Sequence, residues 1–203
     1  HFIGPLKIGK GNSFGAGCVI GDRPQHTGYR DEPTSTEIGE QNTFREHVTV
    51  HRGSHVPGHG TTRIGNNNYL MVNAHVGHDS RVGNHCILAQ GSMLGGHVIL
   101  DDRVFIAGAG AIHQNTRLGR FSFVAGIAAI TRDVLPFMMV LNRDRVAGLN
   151  VIGLRRGGRS HRHGESAAAR RPTAEKTACT LTFSACRAVR RAGLGHAAVT
   201  VSG

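Results

Sequence analysis

The sequence predicts an all-β fold, a parallel β-helix built from hexapeptide repeats and followed by an atypical C-terminal tail, and three observations carry that prediction. An aliphatic residue recurs at every sixth position from Ile64 to Ile130, through Leu70, Val76, Val82, Leu88, Leu94, Leu100, Ile106, Ile112, Leu118 and Val124. Four positions after each comes a small or slim residue, among them Asn68, Ala74, Ser80, Cys86, Ser92 and Gly110. Glycine often follows the aliphatic directly, as at Gly65, Gly77, Gly83, Gly95 and Gly119. A period of six fits neither the 3.6 residues of an α-helix nor the two of a pleated strand. It fits a solenoid in which each hexad is one short strand and turn, and three hexads close a triangular coil. Residues eighteen apart then stack at about 4.8 Å, the spacing of hydrogen-bonded strands. The aliphatic is expected to fill the prism, the small residue to pack beside it, and glycine to let the chain turn where a Cβ would clash.

Taken in order, the chain is in phase from its start, at Phe2, Ile8, Phe14 and Ile20, and it opens on His1. This reads as an N-terminally truncated helix with an uncovered first rung. Between residues 21 and 37 the aliphatics lapse while Pro24, Gly28, Asp31, Glu32 and Pro33 appear, as expected of a loop leaving the prism. Ile38, Phe44 and Val50 restore the phase, and a second excursion over about 51–63 carries Gly53, Pro57, Gly58 and Gly60. Such loops on a rigid scaffold are where binding residues collect. Asp133, Val134, Leu135 and Pro136 end the repeat, so the helix is expected over 1–135 and a connecting segment over 136–157. Residues 158–203 hold no hexad and no apolar stripe of helical period; a disordered or loosely packed basic tail is expected.

The formal charge of +11 is uneven: eight Lys or Arg against Glu165 and Glu175 lie in 158–203. The remainder is spread over many hexads, with two Tyr and no Trp to stack bases, which argues against nucleic acid and leaves an acidic partner open. Cys18 and Cys86 take the small interior register, and Cys179 and Cys186 match no metal pattern, so no disulfide framework is indicated. No segment is apolar for long enough to span a membrane and residues 1–11 lack a signal-peptide layout, which reads as a cytoplasmic protein without membrane insertion.

Among fourteen histidines, position singles out four. Counted in steps of eighteen, His75, His78, His97 and His113 fall on one side of three successive coils, and none takes an interior register. His78 and His97, nineteen apart, become near neighbours. Imidazoles titrate near neutrality and suit general base catalysis or metal binding. Asp79 follows His78, and at a corner its carboxylate can reach back to the ring and hold its tautomer. Gly95 and Gly96, one coil on, can turn a backbone N–H toward a developing oxyanion.

Asn73 to Asp79 (NAHVGHD), Gly83 to Ala89 (GNHCILA), Leu94 to Val98 (LGGHV), Ile112 to Gln114 (IHQ) and Arg45 to Gly53 (REHVTVHRG) together resemble the acyl-(acyl carrier protein):UDP-N-acetylglucosamine O-acyltransferases of lipid A biosynthesis. The similarity covers about residues 1–156. It implies a left-handed β-helix, against the usual right-handed crossover, and transfer of a 3-hydroxyacyl chain from acyl carrier protein to the sugar 3-hydroxyl. It implies His78 as general base, Asp79 as its orienting partner and Gly96 as the oxyanion donor. It also implies Asn73, His75, His97, His113 and Gln114 around the substrate, Gln25 on the sugar nucleotide, and Asn150 and Arg156 at the nucleotide end. Gly126 would bound the acyl pocket. The resemblance further implies a homotrimer with sites between subunits, and no cofactor or metal beyond the carrier's phosphopantetheine. The chain departs from the family at Gln25-His26-Thr27-Gly28-Tyr29, which lacks the usual acid and lysine, at Ile152 and Gly157, and after Gly158, where no helical domain is recognisable. Two other readings compete: a zinc lyase similar to the gamma-type carbonic anhydrases, and an inactive β-helix scaffold.

Overall fold

A computed structural model describes residues 1–54 and 60–156, so the expectations for the tail and for part of the second excursion lie outside the described residues. The chain forms a left-handed parallel β-helix of short strands arranged in three sheets. Strand pairing follows the eighteen-residue rule through the unbroken repeat: His75 pairs with Met93, Met93 with Ala111, and Ala111 with Ala129. On the next face Tyr69, Ile87, Phe105 and Phe123 align in the same way. Earlier coils carry the excursions, so Leu6 pairs with Thr36 and Thr36 with Thr62. The strands before and after the two loops run to Asp22, from Ser35, to His51 and from Thr61, which trims both loops relative to the sequence reading.

The aliphatic register forms one core from Ile20 to Ile130, nearly all of it fully buried. Full burial of such a side chain is worth about 1.5–3 kcal/mol, and each coil contributes three. The small register adds polar order, because Asn12, Asn42 and Asn68 form a ladder whose side chains cap the next coil's backbone at 2.7–2.9 Å. The glycines after the aliphatics are held by close approach, not by turning. A Cβ on Gly77 would stand 2.7 Å from the Gly95 carbonyl carbon, and on Gly65 2.6 Å from the Gly83 oxygen. The turning residue lies three positions after the aliphatic and takes positive φ, as at Asn67, Asn73, Asp79, His85, His97 and Ile127. This register had no single residue type to mark it.

The last face extends past residue 135. Met138–Leu141 adds in parallel to Phe123–Val124 and pairs antiparallel with Arg145–Leu149. The helix Val151–Arg156 follows and packs Leu154 against Phe121 and Phe137. The described part of the connecting segment, 136–156, therefore extends the sheet and covers this end of the core. At the other end Phe2 and Ile8 are exposed. Cys18 and Cys86 are buried and free. No helix among the described residues is long and apolar enough to cross a membrane.

Candidate active site

The site grows from one corner residue. Asp79 occupies the turning position with φ 59°, where aspartate is better tolerated than most residues because its short side chain bonds locally. Its N–H donates to Thr62 Oγ1 at 2.8 Å, and its side chain is wholly enclosed. Oδ1 accepts the Gly60 N–H at 2.9 Å. Oδ2 accepts the Ser54 N–H at 2.8 Å and its hydroxyl at 2.6 Å, and meets His78 Nδ1 at 2.8 Å. Burial, the largest single influence, raises the acid's pKa. The bonds from His78, Ser54 and Gly60 together outweigh it and hold Asp79 well below the usual carboxylate range.

An ionised Asp79 fixes its neighbour. The carboxylate only accepts, so His78 Nδ1 carries the proton and the lone pair is left on Nε2. That end of the ring lies against Gly96, where an added Cβ would stand 2.6 Å from both Cε1 and Nε2. Within the described residues the Gly96 N–H has no hydrogen-bond acceptor. The same register on another edge shows what this position does when filled: the N–H groups of Asn66 and Asn84 are taken by the side-chain oxygens of Asn84 and Asp102 at 2.8 and 2.7 Å. At Gly96 the corner leaves a donor beside the imidazole.

His97 stacks edge-on to His78 with centroids 5.1 Å apart and places Nε2 3.7 Å from Asp79 Oδ2. One strand back, His75 Nδ1 meets Thr49 Oγ1 at 2.8 Å, and His51 lies edge-on to it at 5.0 Å. Burial first, then His51 and His78, pushes His75 down to about 4, so it is neutral at neutral pH. Burial lowers His51 as well. Gln25 is exposed on the first loop, whose next residue, His26, packs edge-on to His78 at 5.8 Å.

The structure thus brings together His78, Asp79, Gly96 and His97, with His75 adjoining. His113 and Gln114 lie one coil further and are exposed, His113 Nδ1 facing the Gln114 carbonyl at 3.1 Å. Asn73 is exposed at its corner. Three positions stand elsewhere. Gly126 is on a different edge, above Gly108. Asn150 begins the C-terminal helix, its Oδ1 accepting the Gly153 N–H at 2.9 Å and its Nδ2 donating to the Phe121 carbonyl at 3.0 Å. Arg156 is exposed at that helix's end. Sequence reasoning missed Ser54, Gly60, Thr62 and Thr49, the groups that hold the acid and His75 in place. Only membership of the second excursion marked the first three.

A zinc site with Asp79 as ligand fits poorly. His78, Asp79 and His97 offer ligand atoms within 4.8 Å of one another, but both Asp79 oxygens already accept bonds and His78 Nδ1 is committed to one of them.

Protonation of these groups opposes folding. Asp79 and His75 both have folded pKa values below their unfolded ones, so the unfolded chain binds more protons and stability falls on acidification. The His75 contribution is complete above 6.5 and is lost as pH drops toward about 4; that of Asp79 goes at lower pH. Thermal unfolding should show Tm declining from about pH 6.5 downward, with the upper part of the decline flattened in His75→Gln. A Tm that rises on acidification would contradict this assignment.

Comparison with known proteins agrees with the geometry. A family model described as bacterial transferase hexapeptide (six repeats) matches residues 61–96, and one described as UDP N-acetylglucosamine O-acyltransferase, domain 2, matches 133–168. The second match carries the resemblance past Gly158, further than the motifs had suggested. An acyl-(acyl carrier protein):UDP-N-acetylglucosamine O-acyltransferase of Sinorhizobium fredii is 43% identical over 157 residues, covering 77% of this chain and 58% of that protein. Its counterpart in Anaeromyxobacter is 45% identical over 158 residues, covering 77% and 61%. The chain therefore spans about three fifths of the length of these curated relatives. Among solved structures, a UDP-N-acetylglucosamine acyltransferase from Bacteroides fragilis superposes with a TM-score of 0.76 at 30% identity, covering 97% of this chain and 76% of that one. By sequence, repeat and fold, the chain belongs to the family of acyl-(acyl carrier protein):UDP-N-acetylglucosamine O-acyltransferases.

Proposed function

We propose that the protein transfers a 3-hydroxyacyl chain from acyl carrier protein to the 3-hydroxyl of UDP-N-acetylglucosamine, in the cytoplasm and without a cofactor of its own. The observation that carries this reading is the His78–Asp79 pair set against the Gly96 N–H. His78 Nε2 takes the proton of the attacking hydroxyl, whose oxygen bonds to the thioester carbonyl carbon. The tetrahedral oxyanion then rests on the Gly96 N–H. Its collapse expels the carrier's thiolate, which receives the proton from His78, so the base is regenerated. His75 is neutral and donates or accepts without adding charge. His97, His113, Gln114, Asn73 and Gln25 line the acceptor in this reading, and Asn150 and Arg156 reach its nucleotide end.

The separation of Gly126 from His78 supports a homotrimer, in which a second copy brings its Gly126 edge to the first copy's base. Surface chemistry agrees. The outward residues of one sheet run Glu37, Arg63, Arg81, Ile99 and Arg117, whereas another presents Tyr69, Ile87, Phe105 and Phe123, and the third passes from His75 to Met93, Ala111 and Ala129. Two apolar faces per prism suit threefold closure.

The test is to incubate the chain with 3-hydroxyacyl carrier protein and UDP-N-acetylglucosamine and to identify the product by mass spectrometry. A 3-O-acyl sugar nucleotide is expected, and release of free acid alone would overturn the proposal. Gly126 carries a second prediction. Its absent Cβ would stand 3.3 Å from the Gly108 carbonyl oxygen, closer than ordinary van der Waals contact, so a side chain there needs that backbone to give by a few tenths of an ångström. Gly126→Met should shift preference toward shorter acyl donors, and an unchanged donor profile would remove Gly126 from the pocket.

A further inference from the structure

Where the neighbouring coils carry glycine, one coil places a buried histidine, and we infer that His51 donates a hydrogen bond from Nε2 to the sugar of the bound nucleotide, holding the acceptor on one side of His78. The inference rests on the acyltransferase reading above and adds a residue to it.

His51 follows the core residue Val50, whose partners on the strands before and after are Ile20 and Val76. The residues that follow those two are Gly21 and Gly77. Room for a ring at His51 goes with an irregularity in the sheet. Val19 and Ile20 pair in step with Thr49 and Val50, but Asp22, not Gly21, comes opposite His51. Gly21 is the extra residue, at φ 83°, and a Cβ on it would run into the Ile3 carbonyl oxygen. A bulge of this kind bends its strand and re-aims a side chain, often beside an active site.

The ring sits there at a cost to the fold. His51 is 8% exposed, and its Nδ1 is enclosed with no hydrogen-bond partner among the described residues. An enclosed, unpartnered polar atom is destabilising and uncommon. Nε2 is the other polar atom of the ring and is not enclosed in this way. Burial lowers the pKa of His51 more than Asp22 raises it, so the ring is neutral at neutral pH. Enclosed N–H groups without an acceptor are rarer than enclosed acceptors without a donor. The single proton therefore belongs on Nε2, which becomes a donor awaiting an oxygen.

The neighbours of this donor are those of the site. The His51 ring lies edge-on to His75 at 5.0 Å, and His78 is near enough to depress its pKa further. Strand pairing puts His51 on the coil before His78 and Gly96 on the coil after it. With the acyl oxyanion on the Gly96 side, the sugar takes the His51 side. Asp22, opposite His51, also leads into the loop that carries Gln25.

Calorimetric titration with UDP-N-acetylglucosamine and, separately, with UDP tests the contact without requiring turnover. His51→Leu should weaken the sugar nucleotide about tenfold, the worth of one good hydrogen bond, and leave UDP unchanged. It should also raise Tm, because it removes an enclosed, unpartnered nitrogen. In the transfer assay the KM for UDP-N-acetylglucosamine should rise while that for the acyl donor stays constant. His51→Gln, whose amide reaches the place of Nε2, should keep most of the affinity that His51→Asn, one carbon shorter, loses. Wild-type affinity in His51→Leu, equal affinities in the Gln and Asn variants, or equal weakening of UDP and the sugar nucleotide would each overturn the contact. A wild-type chain that binds UDP-N-acetylglucosamine while the variants match it refutes this inference alone, whereas a wild-type chain that does not bind it refutes the acceptor reading as well.

Discussion

His78→Ala should lower kcat by about 10^2- to 10^4-fold while leaving the fold intact. The loss is expected to be large because no other group can replace the ring. His75 is held neutral with its Nδ1 on Thr49, and His97 belongs to the next coil. The fold should survive because His78 points away from the aliphatic core and its backbone carbonyl, which takes the His97 N–H, is retained. One cost remains: Asp79 loses one of its bonds but keeps those from Ser54 and Gly60. Steady-state kinetics beside a thermal melt check both halves. A variant with near-normal kcat and an unchanged melt would remove His78 from the mechanism.

Asp79→Asn is the second large effect, and it separates charge from shape. Asparagine is at home at positive φ, so the corner is preserved. Its amide, however, offers one acceptor oxygen where the carboxylate offers two, against donors from Ser54, Gly60 and His78. One of these donors must face an NH2 group. Where that donor is His78 the ring adopts the other tautomer, with its proton on Nε2, and can no longer accept from the sugar. Where it is Gly60, the single donor on Oδ1, the His78 bond survives but the negative charge that stabilises the imidazolium is still lost, and a kcat loss of about 10^3- to 10^4-fold is expected by analogy with the acid of a serine-protease triad. Leaving one buried donor unpaired should also cost about 1–3 kcal/mol of stability. The measurements are kcat, the urea midpoint and the imidazole nitrogen chemical shifts of the folded protein. A wild-type kcat with an unshifted His78 tautomer would show that the carboxylate does not orient the base.

Much of this was legible in the sequence for a physical reason. A solenoid of fixed period turns residue numbers into positions, so the spacing of nineteen between His78 and His97 is enough to place them side by side. Asp79 was legible because it is adjacent to His78 and a corner lets the two side chains meet. The turning register was not legible, because positive φ is filled there by Asn67, Asp79, His97 and even Ile127, which share no chemistry. The excursions hid the rest. Ser54 and Gly60 lie where the eighteen-residue count is broken, so nothing in their spacing pointed at Asp79; Thr62 is back in register with the next coil and was hidden because the second excursion was drawn to about residue 63. Past Ile130 the repeat gives way to a strand that follows the sheet without a hexad, Met138–Leu141, and a count of hexads stops short of it. The double bonding of Asn150, which ties the helix to the Phe121 carbonyl, likewise depends on how the chain folds back and leaves no mark in the spacing.

The account is tested most directly by the structure of the chain with UDP-N-acetylglucosamine bound. It predicts the sugar 3-hydroxyl oxygen within about 2.6–3.2 Å of His78 Nε2, with space on the Gly96 N–H side for the acyl carbonyl oxygen and the His78–Asp79 bond retained. A sugar whose 3-hydroxyl lies out of reach of His78, with another side chain on that oxygen, would contradict it.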